Sequence, residues 1–509
     1  MKKLIASFLL ASILISTLLT GCANVEQSGD DTSGSASTTA ANNGNTAQST
    51  DALQETTEYV PTTEEILGFG KENNNNQKFT IYTTSTKTYD FNIEGETGDL
   101  LEDTVYKKNS MIEEYLGVDI ELVLEEGNWA KRKTFNSKIT NAYATGDDTF
   151  DLINNLSNCT LSLATQGVFT NVTELPYTNI EQPWYIADMI ENYGIHDKLY
   201  LLIGDHSMSL YKDISVLFFN STIWKEKKSG VDLYDIVRDG DWTLDKFLEL
   251  TSDMASDLNG DGQYDRDNDL LAYFGENVPN STWMTALDID TIDINKDGSY
   301  NYHGLTDRLA DVYAKLAEFR QTVPGVEDIN SFSKFPGRYI PSEVFANGQA
   351  AIMCNFIYAT EHIRDMNDDY GIIPIPKYDK SQEDYIAQCS QSTMVYFVPK
   401  ILEDIELTSK FIECQAYFGR TYVTPVYYES TLKAKYADDP NMMEMLDKIR
   451  ENATIGFAFV YGTSLTSSPY AILRFTDAIK ADLASYFTVN KRVFLESVEK
   501  LVDAYKNLD

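Results

Sequence analysis

From about Lys78 onward the chain predicts an α/β fold. Strand-type and helix-type apolar patterns alternate along it, the signature of βαβ units on a largely parallel sheet. No internal repeat interrupts the series, and the composition is globular: 43% hydrophobic, 12% aromatic and 23% charged residues. Phe79-Thr-Ile-Tyr-Thr is the first strand, followed by a helix around Thr104 to Leu116. Apolar residues at 118, 120, 122 and 124 alternate through a second strand, and Trp129 to Tyr143 suits a second helix. Thr149 to Asn154 reads as a buried strand and Leu161 to Gln166 as a short helix. Farther on, Thr243 is a plausible N-cap with Asp245 in the first turn, and the helix behind it buries Leu244, Phe247, Leu248 and Met254. That gives Trp242 a structural role.

The 509 residues amount to roughly three domain-sized units. With 41 Lys and Arg against 78 Asp and Glu, the net charge is −37. A nucleic-acid binder needs a basic face to neutralise phosphates, so the balance argues against that class. It argues equally against electrostatic docking on anionic lipid. His196, His206, His303 and His362 are scattered and lack metal-ligand spacing, which disfavours a zinc enzyme.

Lys2 and Lys3 precede an apolar run from Leu4 to Leu19, and small residues follow. Residues 1–21 therefore read as a secretory signal peptide. Leu19-Thr20-Gly21-Cys22 resembles the lipobox of bacterial lipoproteins, which implies lipidation of Cys22 and a place on the extracellular face of the cell membrane. The acyl chains are then the only membrane contact. Residues 22–76 are rich in Ser, Thr, Asn, Gly and acid and cannot bury enough apolar surface to offset their ordering entropy, so they read as a disordered tether. Cys159, Cys354, Cys389 and Cys414 are too far apart for a disulfide scaffold and are expected to be free and mostly buried.

Several motifs then occur in one order. They are residues 164–175 (ATQGVFTNVTEL), Lys198-Leu-Tyr-Leu-Leu with Val216-Leu-Phe-Phe-Asn-Ser, and Asp241-Trp-Thr-Leu-Asp-Lys-Phe-Leu. Phe345-Ala-Asn-Gly-Gln-Ala-Ala-Ile-Met, Asp369-Tyr-Gly-Ile-Ile-Pro-Ile-Pro-Lys, Pro425-Val-Tyr-Tyr and Met445-Leu-Asp-Lys-Ile follow. In this order the chain resembles the extracellular solute-binding proteins of bacterial ABC transporters, family 1 type, in its carbohydrate-binding branch and as found in Gram-positive lineages. The resemblance implies a periplasmic-binding-protein-like fold: two α/β lobes joined by a multi-segment hinge, with a ligand cleft between them. Crossings are expected near Pro183-Trp184, between Pro376 and Tyr385, and near Pro425. Lobe 1 is then 77–184 plus about 380–425, and lobe 2 is 185–379 plus about 426–509. A monomer is expected, with an ABC permease as partner.

The resemblance also implies an oligosaccharide ligand. Aromatic rings stack on the apolar faces of sugars while Asp, Asn and Gln grip the hydroxyls. In the loop after the third strand Asn155, Ser157 and Asn158 hold the matching positions, although Asn155 stands where the family carries an aromatic. Tyr358, Tyr461 and Tyr470 fall near positions of stacking rings. Local reasoning adds Asp205, in a loop between two apolar stretches, with Tyr211 nearby, and Trp184 at the presumed hinge. For the tyrosines at stacking positions the competing role is core packing or a surface position, and for Asp205 it is a turn.

Asp257, Asn259, Asp261, Gln263, Asp265 and Asp269 match the start of an EF-hand-type calcium loop, with Gly262 at the sharp turn and Asn268 in place of the final Glu. A structural Ca²⁺ is the expected cofactor. Asp293-Ile-Asn-Lys-Asp-Gly298 lies between alternating strands and reads as a hairpin turn instead. No nucleophile elbow, P-loop or dinucleotide fingerprint is present, so no enzyme is expected. The rival readings are a surface glycoside hydrolase using two carboxylates, a binder of peptide or another polar solute, and an adhesin or scaffold.

Overall fold

Each strand expected at the start of the body forms, and its two faces show why. The computed structural model describes residues 61–187, 189–275, 281–328, 340–429, 439–466 and 482–508. Within them the strands are β1 (Gln77–Thr84), β2 (Val118–Glu125), β3 (Leu152–Leu156), β4 (Ser215–Asn220), β5 (Leu271–Gly275), β6 (Ile292–Ile294), β7 (Tyr300–Tyr302), β8 (Val326–Asp328), β9 (Ala350–Phe356), β10 (Tyr370–Ile373), β11 (Ala387–Gln388), β12 (Met394–Phe397) and β13 (Ala453–Thr454).

The first sheet has the order β12-β3-β1-β2. β1 pairs in parallel with β2 and β3, placing Ile81 between Leu122 and Leu152, while β12 joins β3 antiparallel. Both faces of β1 are covered, as an inner parallel strand requires. On one, Phe79 stacks on Phe411 of the helix Ile405–Phe418 with centroids 3.9 Å apart. On the other, Tyr82 stacks on Phe135 of the helix Arg132–Thr145 at 4.1 Å. The helix Leu100–Leu116 starts where the Asp99 carboxylate accepts from the N–H groups of Leu101 and Glu102. It stops at Gly117, whose φ of 66° and backbone neighbours at Asn73 and Asn74 leave no place for a Cβ.

The second sheet runs β10-β4-β9-β5-β8, with β9 parallel to β5 and antiparallel to β4. All residues of β4 and β9 are buried. Trp242 is structural as expected: it is buried, its indole N–H is donated to the Pro374 carbonyl at 2.9 Å, and Thr243 caps the helix Leu244–Thr251. β6 and β7 form the expected hairpin across the turn at Lys296-Asp297-Gly298. Cys159, Cys354, Cys389 and Cys414 are free and buried.

Strand pairing shows where the chain changes sheets. Residue 184 is not such a point, because Leu202 still pairs with Tyr396 of β12 and the second sheet is first entered at Ser215. The return leads through Cys389, which bridges Ile214, and β11 lies parallel to β13 beside it. The C-terminal helix Leu483–Lys506 returns to the first sheet's side, where Tyr505 meets Tyr200 at 5.2 Å and Lys198 donates to the Tyr505 carbonyl at 3.0 Å.

Candidate functional site

In the first sheet the chain passes from central β1 to β2 on one side, then to β3 on the other. Open α/β sheets bind ligands outside the carboxyl ends of the strands at such a reversal of order. Two segments leave the sheet there: the loop Ser85–Asp90 after β1 and a single helical turn, Ser157–Thr160, after β3. The second sheet meets them with an edge of its own. Ser215 at the start of β4 is paired with Phe356 at the end of β9, so Asp213 and the turn Ile357–Glu361 lie on one side. The loops after β5 and β8, at 276–280 and 329–339, fall outside the described residues.

Charge bridges the crevice between the two edges. Lys87 Nζ donates to the Asp213 carboxylate and, at 3.0 Å, to the Ser392 carbonyl. Lys212 pairs with Glu361 at 2.7 Å and stands 5.1 Å from the Tyr89 ring centroid and 5.9 Å from that of Tyr427. Cations, carboxylates and phenol rings thus meet at one place, the mixture a hydroxyl-rich solute needs.

A buried polar layer holds the loop after β1 in position. The Asp90 carboxylate accepts from Ser207 Oγ and the Met208 N–H, each at 2.8 Å. Lys108 donates to the Asp90 carbonyl at 3.1 Å and to Gln415 Oε1 at 2.7 Å. Burial pushes the Asp90 carboxyl up, opposed by the Lys108 charge. Burial likewise pulls Lys108 down to about 8, opposed by Asp90. His206 stacks on Tyr396 at 3.9 Å, and burial first, then Lys108, pulls it down to about 3, so the ring is neutral at physiological pH.

The crevice takes in only some of the residues expected from the sequence. Ser157 and Asn158 are on the helical turn after β3; Ser157 Oγ donates to the Gln391 carbonyl at 2.9 Å. Asn158 Oδ1 is buried and has no hydrogen-bond partner among the described residues. Tyr358 belongs to the opposite turn, 8% exposed, between the rings of Phe356 and His362, each 5.9 Å away. Asn155 lies one step inside: its Nδ2 donates to Thr160 Oγ1 at 2.9 Å and to the Gly127 carbonyl at 3.3 Å, fastening strand ends together. Tyr211 is buried edge-on to Tyr428 at 5.6 Å, with Arg450 over both rings at 5.2 and 5.0 Å.

Others are committed elsewhere. Arg420 donates to Asp205 at 3.0 Å, so this carboxylate is an internal ion-pair partner rather than an open hydroxyl acceptor. The Trp184 indole N–H goes to Glu413 at 3.1 Å, and the ring packs on Tyr417 at 5.4 Å, behind the first sheet's helix layer. Glu413 also accepts from Tyr185 Oη at 2.8 Å, and burial pushes its carboxyl up to about 7. Tyr461 is core: its hydroxyl donates to the Tyr193 carbonyl at 2.7 Å and its ring stacks on Phe457 at 4.5 Å. Tyr470 lies outside the described residues.

Sequence reasoning missed Lys87, Tyr89, Lys212, Asp213 and Glu361. Lys87 and Tyr89 follow directly on the first strand, but only the sheet order marks that loop as the reversal point. A cavity of about 410 Å³ lies elsewhere, between Glu191, Asn192, the β6 strand and Thr454–Phe457. Its lining comes from the hairpin and linking segments rather than from strand-end loops. The crevice is therefore the stronger candidate on chemistry.

In the acidic loop, Asp257 accepts from the N–H groups of Gly260 and Gly262 at 2.7 and 2.8 Å, and Asp265 from those of Asp267 and Asn268 at 2.8 and 3.0 Å. Asn259 and Asp261 accept from Asp261 and Gln263, and buried Asp269 from Leu258 and Asp265. Among the described residues no three His, Cys, Asp or Glu side chains are grouped to hold a metal. No helix among them is long and apolar enough to cross a membrane.

Comparison with known proteins gives the class as that of a binding protein. Residues 113–444 match the family described as bacterial extracellular solute-binding protein, and the chain belongs to that family. None of the curated proteins compared with it matches. Among solved structures, MalX from Streptococcus pneumoniae in complex with maltopentaose has a TM-score of 0.51 at 13% identity, covering 82% of this chain and 100% of its own. Apo RafE from Streptococcus pneumoniae gives 0.49 at 13% identity (83% and 98%), and maltose-bound MalE3 from T. maritima 0.46 at 12% (84% and 99%). The likeness to MalX shows a shared fold, the two-lobe α/β architecture expected from the sequence.

Proposed function

We propose that the protein captures an oligosaccharide in the strand-end crevice and delivers it to an ABC permease, held at the outer face of the cell membrane by lipid on Cys22. One observation carries the reading. The segments at the reversal point of the first sheet carry Lys87 and the buried, unpartnered Asn158 Oδ1, and the second sheet's edge adds Asp213, paired with Lys87, and the Tyr358 ring, so polar groups and a phenol come from both sheets. The family's solute-binding role and the maltopentaose bound by MalX support it. Because the contacts come from both edges, ligand binds the closed arrangement better and shifts the population toward it.

A thermal-shift screen of the chain from about residue 61 against mono- and oligosaccharides tests this, since a ligand of the folded state raises the midpoint by mass action. A shift with one sugar class, with no product formed, is expected. No shift with any sugar turns the reading to peptides or other polar solutes. Tyr358→Ala is expected to weaken sugar binding by about 1 kcal/mol, the worth of one stacking contact. Unchanged affinity in calorimetry would remove Tyr358 from the site.

We propose further that the loop from Asp257 to Asp269 takes a structural Ca²⁺. Each carboxylate oxygen that accepts one N–H keeps a second lone pair that a cation could use. Chelator is expected to lower the melting midpoint while leaving sugar binding in place. An unmoved midpoint would sink the assignment.

A further inference from the structure

Trp129 is 52% exposed, whereas the other tryptophans in the described residues are buried. Burial of its neighbours explains Trp184, Trp224, Trp242 and Trp283, but nothing in the packing calls for an indole at 129. Its loop follows β2, the edge strand of the first sheet. The loop is tied to the reversal point itself: the Gly127 N–H is donated to Thr84 Oγ1 at the end of β1 at 3.0 Å, and the Gly127 carbonyl accepts from Asn155 of β3 at 3.3 Å. Trp129, two residues on, therefore stands beside the crevice at its outer end.

The ring is also held. The Arg132 guanidinium lies 3.8 Å from its centroid, and Arg132 Nη1 donates to the Trp129 carbonyl at 2.5 Å. The Lys131 N–H bonds to the Asn128 carbonyl and side chain at 3.0 and 3.1 Å, closing the turn beneath. The guanidinium covers one face of the indole, and about half of the residue stays exposed. A rigid aromatic plane, already ordered before binding, costs little entropy to use.

We propose that Trp129 is an outer subsite that stacks a further sugar ring of an oligosaccharide reaching past the Lys87–Asp213 crevice, so that the protein prefers longer chains. This rests on the carbohydrate reading of the crevice. Arg132 acts as a positioning residue, fixing the indole from behind.

The test is calorimetric titration of the full folded chain, wild type and Trp129→Ala, with four series of rising length: malto-, cello-, xylo- and raffinose-type oligosaccharides. In wild type, one series should bind, with affinity rising roughly three- to tenfold at the length that reaches Trp129, the gain of one stacking contact. In Trp129→Ala that step should vanish while the shortest binding sugar keeps its affinity, which also shows that the variant folds. Trp129→Phe should keep part of the step, and Arg132→Ala should shrink it. If a series binds and both proteins show the same dependence on length, the outer subsite is overturned and the crevice assignment stands. If equal affinity is lost at all lengths, Trp129 belongs to the crevice proper and the proposal of an outer subsite fails. If no series binds to wild type, the carbohydrate reading falls and the subsite with it.

Discussion

Replacing Lys108 by methionine is expected to destabilise the protein by about 1–3 kcal/mol, because Lys108 Nζ donates to the buried Asp90 carbonyl and to Gln415 Oε1, which would be left without it. Lys108 is 2% exposed on the helix Leu100–Leu116, and methionine matches its stem but not its donors. The Asp90 carboxylate would remain buried with Ser207 and Met208 as its hydrogen-bond donors, and would lose the Lys108 charge that opposes its burial most, leaving the weaker influence of Lys212. Gln415 Oε1 would also lose a donor at 2.7 Å. Denaturant unfolding measures the loss, and Lys108→Met combined with Asp90→Asn should recover part of it, because the two residues share one interaction. A loss under about 1 kcal/mol, within the range of an ordinary surface pair, would mean that the pair is not electrostatically coupled. The same layer fixes the loop that carries Lys87 and Tyr89, so sugar affinity should fall along with stability.

Gly419→Ala is expected to cost about 3 kcal/mol or more, at the upper end of overpacking effects. The residue continues the helix Ile405–Phe418 with an ordinary φ of −56°, so backbone freedom is not the reason for glycine there. A Cβ would stand 2.0 Å from the Asp205 carbonyl oxygen and 2.9 Å from its carbon. Both neighbours are backbone, so neither can swing aside as a side chain tip would. Gly146→Ala is the control: φ is 68°, nothing lies within 4 Å of the added Cβ, and the left-handed conformation alone should cost about 1–2 kcal/mol. Equal losses at 419 and 146 in thermal unfolding would refute the close-approach argument.

What was legible in the sequence is local. Phe79 to Thr83, the helix ending at Leu116 and the strand from Val118 follow from apolar periods of a few residues, and the structure repeats them within a turn or so. Trp242 was legible through the cap at Thr243, and the β6–β7 hairpin through its turn residues. The resemblance put Asn155, Ser157 and Asn158 just past the third strand, and the last two do follow directly on β3. Asp205 could not be placed, since its partner Arg420 is 215 residues away. Trp184 is likewise satisfied by Glu413 at a separation of 229 residues, and Tyr461 by Tyr193 at 268.

The sequence by itself determined the alternation of strands and helices, the acidic charge and, through ordered motifs, the solute-binding family. Only the tertiary structure decided which loop lies at the reversal of strand order, and so that Lys87, Tyr89 and Asp213 share a crevice. It also decided which polar side chains are used up inside. The reason is one of range: secondary structure answers to neighbours three or four residues apart, whereas a binding site is made by side chains whose partners are chosen hundreds of residues away, once the sheets have closed on each other.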